Sequence, residues 1–322
     1  MRSALLPSAA LLACAVAAVP VIAAETYPTK PIRMVAPFPP GGGTDILSRV
    51  IATPVSESLG QQVIVDNRPG AGGATGAELV AHAAPDGYTL IIVSSSYAAT
   101  VAYGQPTYDP VDGIQPIILI GTTGLVMSVH PSIPAKSVKE FIAHARANPG
   151  KLNYSSVGPG SVVHLMLEMF KLDTGTNIVH VPYKGGGPAL TAVVSGEVQM
   201  TAISMVPSMP HIKAGRLRPL AISTPKRASL LPDLPTISES LPGFEVTHWY
   251  GIWGPKGMSK PVVALWNREV AKVLNTPEMK RQMGTEGLEA GGGPPQQLYD
   301  VIKPAVQKWR RVIRDAKIPR AG

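Results

Sequence analysis

Three glycine-rich loops contain the residues best suited to binding an anion. Each follows an apolar run and precedes a run with helical periodicity; they are residues 37–45 (PFPPGGGTD), 155–161 (SSVGPGS) and 183–188 (YKGGGP). Free backbone N–H groups at the start of a helix attract an anion, and the helix dipole adds to this attraction. Glycine lets a ligand approach the backbone, although the glycines of any single loop could equally serve a tight turn. Together the three loops predict a cleft for a carboxylate or a phosphate.

The sequence lacks the motifs of common secreted enzymes. It contains no Gly-x-Ser-x-Gly elbow, no His-Glu-x-x-His and no Gly-x-x-x-x-Gly-Lys-Ser/Thr. His164 and Glu168 are spaced as metal ligands could be, but no third ligand accompanies them. Gly70, Gly72 and Gly76 follow a predicted strand, but their spacing is wrong for a dinucleotide-binding loop. We therefore predict no enzymatic activity, no cofactor and no metal.

The composition indicates a folded chain without a nucleic-acid-binding face. The chain has 322 residues, of which 45% are hydrophobic and 16% charged, with 32 Gly, 33 Pro and one Cys. The apolar share excludes a disordered chain, and a single Cys excludes an internal disulfide. The net charge is +8, but Lys and Arg are scattered apart from the pair Arg310 and Arg311. This charge indicates either a solvated basic surface or a mild attraction for anions.

The N-terminus has the features of a secretory signal peptide, which we assign to residues 1–24. Arg2 is followed by a nearly continuous apolar run over residues 4–23, and small residues precede a cleavage site after Ala24. Lipid attachment at Cys14 is the alternative, but the apolar run continues past it. No other apolar run approaches the ~18 residues needed to cross a bilayer. We therefore expect an exported, periplasmic protein.

Strands and helices alternate in the first part of the mature chain. Apolar runs at residues 32–36, 63–66 and 89–93 predict strands, and helical periodicity occurs at 44–59 and 74–83. This alternation is typical of a parallel sheet covered by helices.

The alternation resumes further along the chain. Ser137 and Glu140 have the spacing of a capping box at the start of a helix. Pro304 is expected to kink or restart the last helix. The remaining predicted strands are residues 152–155, 178–181, 198–203, 220–223 and 250–253, and the remaining predicted helices are 161–172, 189–195, 262–274, 278–283 and 297–316.

Two crossings divide this pattern into two α/β domains. No long polar linker is present, so the chain passes between the domains in short segments, near residues 120–124 and 248–254. Domain 1 is then discontinuous and comprises residues 25–121 plus 250–322, and domain 2 comprises residues 122–249. Ligands of open α/β sheets bind at the carboxyl ends of the strands, which is where the glycine-rich loops lie.

The motif Pro-Phe-x-x-Gly-Gly-x-x-Asp at residues 37–45 closely resembles the signature of Bug-type extracytoplasmic solute-binding receptors of tripartite tricarboxylate transporters. Further blocks that resemble this family are residues 66–73 (DNRPGAGG), 84–90 (APDGYTL), 108–110 (YDP), 130–132 (HPS), 148–152 (NPGKL), 181–185 (VPYKG) and 210–215 (PHIKAG). Their order and number, across the whole mature chain, identify the protein as a member of this family.

The resemblance implies a fold, a ligand class and a partner. The fold is the type II periplasmic binding-protein fold, in which two α/β domains close over a ligand in the cleft between them. Family ligands are small carboxylates, and the receptor, expected as a monomer, delivers them to membrane permease subunits. A receptor that docks instead on a membrane sensor kinase is the alternative, because transport and sensing use the same closed state.

The resemblance places one wall of the site before the first helix and the other in the turns of domain 2. Phe38 either packs against the ligand body or packs its own loop. Asp45 would repel a carboxylate, so we expect it to cap its own helix, and we expect Ser161 to cap another. The candidate ligand-binding residues are Phe38, Gly41, Gly42, Gly43, Thr44, Asp45, Ser94, Ser95, Gly158, Ser161, His164, Tyr183, Gly185, Ile203 and Ser204.

This chain departs from the family pattern at polar positions. Family members often carry Asp followed by Asn where this chain has Ile203 and Ser204, and a common Asp appears here as Gln199. An Asn-Pro pair usual after the third strand appears as Ala99 and Thr100. We expect these losses to make the far wall more apolar, and therefore a ligand with an apolar or aromatic body rather than a citrate-like polyacid.

Overall fold

The computed structural model describes residues 27–285, 287–315 and 317–319. The predicted signal peptide with Cys14, and residue 316 at the end of the last predicted helix, lie outside these ranges. The strands, numbered in chain order, are β1 (Ile32–Ala36), β2 (Val63–Asn67), β3 (Thr89–Ser94), β4 (Ile114–Val129), β5 (Asn153–Ser156), β6 (Val179–Pro182), β7 (Met200–Ser204), β8 (Arg218–Ile222), β9 (Thr247–Pro255) and β10 (Glu289–Ala290). The helices are α1 (Gly43–Leu59), α2 (Ala74–Ala81), α3 (Ser96–Tyr103), α4 (Val138–Ala147), α5 (Val162–Thr174), α6 (Gly186–Val194), α7 (Met205–Lys213), α8 (Lys260–Leu274), α9 (Pro277–Thr285) and α10 (Gln296–Asp315).

The strands form one sheet in the order β2-β1-β3-β9-β4-β7-β5-β6, with β8 and β10 also paired to β4. In the first half-sheet, β1 is parallel to β2 and β3, and β9 is antiparallel to β3 and β4. In the second half-sheet, β5 is parallel to β6 and β7, while β7 and β8 are antiparallel to β4. The fold is therefore α/β, as predicted, but the sheet is mixed, because the central strands β4 and β9 run against their neighbours.

Strand β4 belongs to both half-sheets. Residues Ile114 to Gly124 pair with β9, and residues Leu125 to Val129 pair with β7 and β8. The predicted crossings near 120–124 and 248–254 are thus paired strands rather than linkers, with Thr123 opposite His248. The sequence did not predict β4, because its proline and glycines are typical of turns. In the structure Pro116 lies at a shift in the strand register, where a missing backbone N–H is tolerated.

Helix α10 continues through Pro304 as one helix, so of the two predicted effects, a kink or a restart, the restart does not occur. Its buried residues repeat at intervals of three to four and form one stripe, which packs against α3 and β4. Burial of this stripe offsets the single hydrogen bond that proline removes. The buried residues are Leu298, Ile302, Val306, Trp309 and Ile313.

Three helix starts differ from the prediction. Helix α6 begins at Gly186 rather than after Pro188, since proline is tolerated in the first turn of a helix. Helices α3 and α7 were not predicted at all. Both follow a serine, which is a usual N-cap residue, so a start signal was present; α7 was missed because Pro207 and Pro210 are typical of turns.

The start of α4 provides a test of local stability. The hydroxyl of Ser137 accepts a hydrogen bond from the Glu140 N–H at 3.1 Å, and the Glu140 carboxylate accepts one from the Lys136 N–H at 2.7 Å. We expect Ser137→Ala to lower the free energy of unfolding by about 1 kcal/mol in urea denaturation, because an exposed helix amide loses its acceptor. Ser137→Asp should retain the stability, and equal stability of the alanine variant would contradict the assignment.

Candidate ligand-binding site

The N-termini of α1 and α6 meet face to face where the half-sheets adjoin. A Cβ atom added to Gly42 would lie 3.8 Å from the backbone nitrogen of Gly186, and one added to Gly186 would lie 3.7 Å from the Gly42 Cα. Helix α1 follows β1 of the first half-sheet, and α6 follows β6 of the second. The first N–H groups of both helices lack acceptors within their own helix and carry the positive end of the helix dipole. Two such ends, with only glycine between them, form a site for negative charge.

A second contact closes the cleft beside the first. The turn before α5 lies against the loop before α2, since a Cβ atom on Gly158 would be 3.3 Å from the Gly72 Cα. A Cβ atom on Gly72 would in turn lie 2.8 Å from the Pro159 carbonyl oxygen. Glycine is required at these positions because a side chain would push the half-sheets apart.

A cavity lies behind these contacts and is lined from both half-sheets. In this arrangement the cavity has about 40 Å³ of room for the centres of water-sized groups, so a ligand of roughly eight to ten non-hydrogen atoms requires the half-sheets to move apart. None of the described residues that line it is Asp, Glu, Lys or Arg. The lining residues are Phe38, Gly42, Gly43, Thr44, Ser94, Ser96, Leu125, Val157, Val163, Gly186, Ile203, Ser204, Pro207, His248 and Tyr250.

Thr44 supplies a hydroxyl that has no partner within the described ranges. The residue is 3% exposed, and its Oγ1 atom makes no hydrogen bond there. Burial of an unpaired hydroxyl costs free energy, so this group is a ready donor for a ligand in the cavity.

The other polar side chains in and beside the cavity form hydrogen bonds or ring contacts with one another. Ser204 Oγ and Tyr250 Oη are 2.8 Å apart and join the two half-sheets. Ser95 Oγ lies 2.6 Å from His248 Nδ1, and the rings of His248 and Tyr250 meet edge to face at 4.8 Å. Burial lowers the pKa of His248 to about 3, so its imidazole is neutral at physiological pH.

The second half-sheet supplies most of the apolar lining. Leu125, Val157, Val163 and Ile203 are each at most 9% exposed. Phe38 lines the cavity from the first half-sheet and also packs on Gly73, so both of its expected contacts are available. A ligand body in this part of the cavity would meet hydrocarbon rather than polar groups.

Seven of the fifteen predicted residues line this cavity: Phe38, Gly42, Gly43, Thr44, Ser94, Ile203 and Ser204. Gly41 and Tyr183 line a separate, open groove on the same side of α6. Gly185 precedes α6 and lies against Pro39, and Gly158 lies against Gly72 as described.

Four predicted residues support the site without lining it. Ser161 caps α5 by accepting the His164 N–H, and Ser95 holds His248. His164 accepts the Gly160 N–H at 3.1 Å and stacks on His180 at 4.2 Å. The fourth is Asp45, whose contacts explain its position.

Asp45 does not cap α1, contrary to the prediction, because Gly42 is the N-cap residue and no described side chain caps the helix; Asp45 instead holds the glycine-rich loop in place. Its carboxylate accepts hydrogen bonds from the Gly41 N–H at 3.0 Å, from Asn67 at 3.0 Å and from Arg49 at 3.1 Å. Burial pushes the pKa of Asp45 upward, but these hydrogen bonds outweigh it and hold the pKa below its usual range. The charged carboxylate therefore orders the loop while remaining outside the cavity.

Eight lining residues were missed by the sequence reasoning. Leu125 lies in the shared strand β4, and His248 and Tyr250 lie in its partner β9; the segments beside Leu125 and around His248 were predicted as crossings between the domains. Ser96 and Pro207 belong to the two helices that were not predicted. Gly186, Val157 and Val163 lie in or beside two of the glycine-rich loops. Their position between a predicted strand and a predicted helix was the signal that could have identified them.

Two departures from the family pattern, Ile203 and Ser204, line the cavity. The others lie elsewhere: Gln199 accepts a hydrogen bond from the Asn153 N–H, and Thr100 donates one to the Gly72 carbonyl. The described residues contain no group of three metal-ligating side chains. Glu168, the candidate partner of His164, instead accepts hydrogen bonds from Tyr154 and Lys171.

The architecture is that of a solute-binding protein of the type II periplasmic fold. Strand β4 joins the two half-sheets, and the cavity lies where they meet. Residues 47–318 match the family described as the tripartite tricarboxylate transporter family receptor, and the chain belongs to this family. The family and its solved neighbours are receptors, so this protein binds a solute and is not an enzyme. Within the described residues, no helix is long and apolar enough to cross a membrane.

Named relatives cover nearly the whole chain. The protein BugT of Bordetella pertussis is 36% identical over 298 residues, which is 91% of each chain. The structure of Rpa4515 of Rhodopseudomonas palustris with adipate is 37% identical, with a TM-score of 0.86 over 90% of this chain and 98% of that one. The structure of MatC of the same species with malate is 30% identical, with a TM-score of 0.85 over 89% and 100%.

The unpaired Thr44 hydroxyl predicts opposite effects on stability and on binding. Thr44→Val keeps the side-chain shape and removes the buried polar atom, so the ligand-free protein should be more stable by about 1 kcal/mol in urea denaturation. The same variant should bind the ligand more weakly in calorimetry. Thr191→Val on α6 is a control at an exposed threonine, and a loss of stability in Thr44→Val would contradict the assignment.

The neutral His248 predicts a pH dependence of stability. Its pKa is about 3 in the folded protein and about 6.5 when unfolded, so the unfolded state binds more protons and stability falls as pH drops below 6.5. Between pH 7.5 and pH 5 this group should cost about 2 kcal/mol. Urea denaturation of His248→Gln should therefore show a smaller loss than the parent protein, by that amount. His144→Gln controls for removal of a histidine, and an equal loss in parent and His248→Gln would refute the prediction.

Proposed function

We propose that this protein is an exported receptor that captures a small carboxylate at the meeting point of α1 and α6 and delivers it to the permease subunits of a tripartite transporter. The observation that carries the proposal is the approach of Gly42 to the Gly186 nitrogen, which leaves two helix N-termini facing each other. The predicted lobes, residues 25–121 with 250–322 and residues 122–249, would supply one terminus each.

A carboxylate suits this position better than a neutral group. Each helix N-terminus carries roughly half a positive elementary charge, so the two ends repel each other when the cleft closes. An anion between them replaces the repulsion with two attractions. Because no described lining residue is charged, the backbone amides are the groups that would balance the anion. An anion would therefore bind the closed form best and shift the population toward it.

The apolar wall supports a ligand with an alkyl or aromatic body. Leu125, Val157, Val163 and Ile203 face the cavity, and a hydroxyl-rich polyacid would bury several polar groups against them without partners. A relative with 37% identity has been solved with adipate, whose four methylene groups form such a body. Adipate, hexanoate and benzoate are therefore the first ligands to test.

Calorimetry of the purified mature protein tests the ligand class. We expect measurable binding of at least one of these three acids, and binding of citrate that is weaker by roughly tenfold or more. The matched alcohols or amides should not bind, because they lack the charge. Tight binding of citrate with no response to the other acids would overturn the proposed ligand class.

A leucine at Gly42 should block binding without unfolding the protein. Gly42 has φ −86°, which any residue adopts, but its side chain would project into the gap before α6. We expect Gly42→Leu to reduce affinity by roughly tenfold or more, with unchanged circular dichroism. Gly284→Leu, at an exposed glycine of α9 with no atom within 4 Å of the added Cβ, is the matched control. Equal affinities of the two variants would remove the α1–α6 gap from the site.

Uptake by whole cells tests delivery. A strain that lacks this gene should lose high-affinity uptake of the radiolabelled ligand, and a plasmid copy should restore it. The Gly42→Leu copy should fail to restore uptake. Normal uptake in the deletion strain, together with a lost transcriptional response to the ligand, would favour the sensor alternative instead.

A further inference from the structure

We infer that His248 selects the ligand, its Nε2–H group donating a hydrogen bond to a second carboxylate at the other end of the molecule. The ligand would then be a compact dicarboxylate with an apolar middle. This inference rests on the proposed function, since it assumes that one carboxylate occupies the gap between α1 and α6.

His248 is a buried polar residue that the anion site does not use. It lies in β9, lines the cavity and is 5% exposed. Its position opposite Thr123 of β4 places it where the two half-sheets join. An imidazole in an otherwise hydroxyl- and hydrocarbon-lined cavity needs a hydrogen-bond partner for each nitrogen.

We take Nδ1 of His248 as the acceptor from the Ser95 hydroxyl, which is the tautomer on which this inference rests. Ser95 Oγ lies 2.6 Å from Nδ1, which is the acceptor that the described residues provide for this hydroxyl. With Nδ1 accepting, the ring proton of the neutral imidazole is on Nε2. No described residue accepts a hydrogen bond from Nε2, although His248 borders the cavity. The ring therefore presents one unused donor to whatever occupies that space.

Tyr250 fixes the distance between this donor and the anion site. A Cβ atom on Gly43 would collide with the Tyr250 hydroxyl, so that hydroxyl lies against the first turn of α1. The Tyr250 ring in turn contacts the His248 ring, whose centre is 4.8 Å away and whose plane is nearly perpendicular to it. The Tyr250 side chain thus contacts both polar ends of the cavity. Leu125 and Ile203 line the same cavity, so the middle of a diacid that reaches both ends would meet hydrocarbon.

The neutral Nε2–H donor of His248 would discriminate between ligands by the group they carry at the end opposite the first carboxylate. A carboxylate satisfies the Nε2–H group, whereas a methyl group leaves it buried and unpaired. Sites built to hydrogen-bond a polar group reject the analogue that lacks it more strongly than apolar pockets reject an extra methylene. His248 would therefore favour a diacid over a monoacid of equal length.

Calorimetry with adipate and hexanoate, which have the same number of carbons, tests this pairing. The parent protein should prefer adipate by about tenfold or more. His248→Phe, which keeps a flat ring and removes the donor, should bind adipate about tenfold more weakly and hexanoate no more weakly than the parent does. His248→Gln, which restores an N–H donor, should recover part of the preference. His180→Phe replaces a stacked histidine that does not line the cavity and should leave the preference unchanged.

The outcomes separate this inference from the proposed function. If no acid binds the parent protein, both fail; if acids bind but His248→Phe weakens adipate and hexanoate equally, or weakens neither, only the inference fails. Should the phenylalanine variant not fold, nitrogen NMR of the histidine-labelled parent protein replaces it. Adipate should then shift the His248 Nε2 resonance and hexanoate should not, and equal shifts would overturn the inference.

Discussion

The approach of two helix N-termini across one cleft is the interaction on which the rest of the structure depends. Like ends of two helix dipoles repel each other, so the arrangement is stable only when other contacts enforce it or an anion neutralises it. Here the enforcing contacts are the glycine-to-proline packing at Gly72 and Pro159 and the Ser204–Tyr250 hydrogen bond. The fold thus keeps an unfavourable electrostatic contact in place, and under the proposed function this contact would supply the binding energy for a small anion.

Each residue near this contact has a role that follows from its size or charge. Glycine at positions 42 and 186 leaves the gap between the termini open, because a side chain longer than Cβ would fill it. Asp45 carries the negative charge that orders the α1 loop, but its hydrogen bonds to Arg49 and Asn67 keep it out of the cavity. The cavity consequently contains no fixed charge from the described residues and depends on the backbone for its polarity.

The elements that the sequence predicted well are those whose signals are local. The apolar run 32–36 followed by three glycines predicted β1, the loop and α1, and Gly60 ends α1 in the left-handed conformation that favours glycine. Strand β4 was not predicted, because its residues pair in two half-sheets and because Pro116 is typical of a turn. Its partners β9 and β7 are distant in sequence, so no local spacing could place Leu125, His248 and Tyr250 in one cavity. The glycine-rich loops beside the cavity were therefore predictable, whereas the cavity residues from β4 and β9 were not.

Strand β4 has a further consequence for the order in which the protein folds. Its first part pairs with β9, which is synthesised only after every strand of the second half-sheet. The first half-sheet therefore cannot be completed until the chain has been made through β9, and its closing step joins segments far apart in sequence. Such non-local pairing is slow, because loop closure must precede the contacts that reward it. The topology thus leaves the first half-sheet one strand short until residues 247–255 are available to pair.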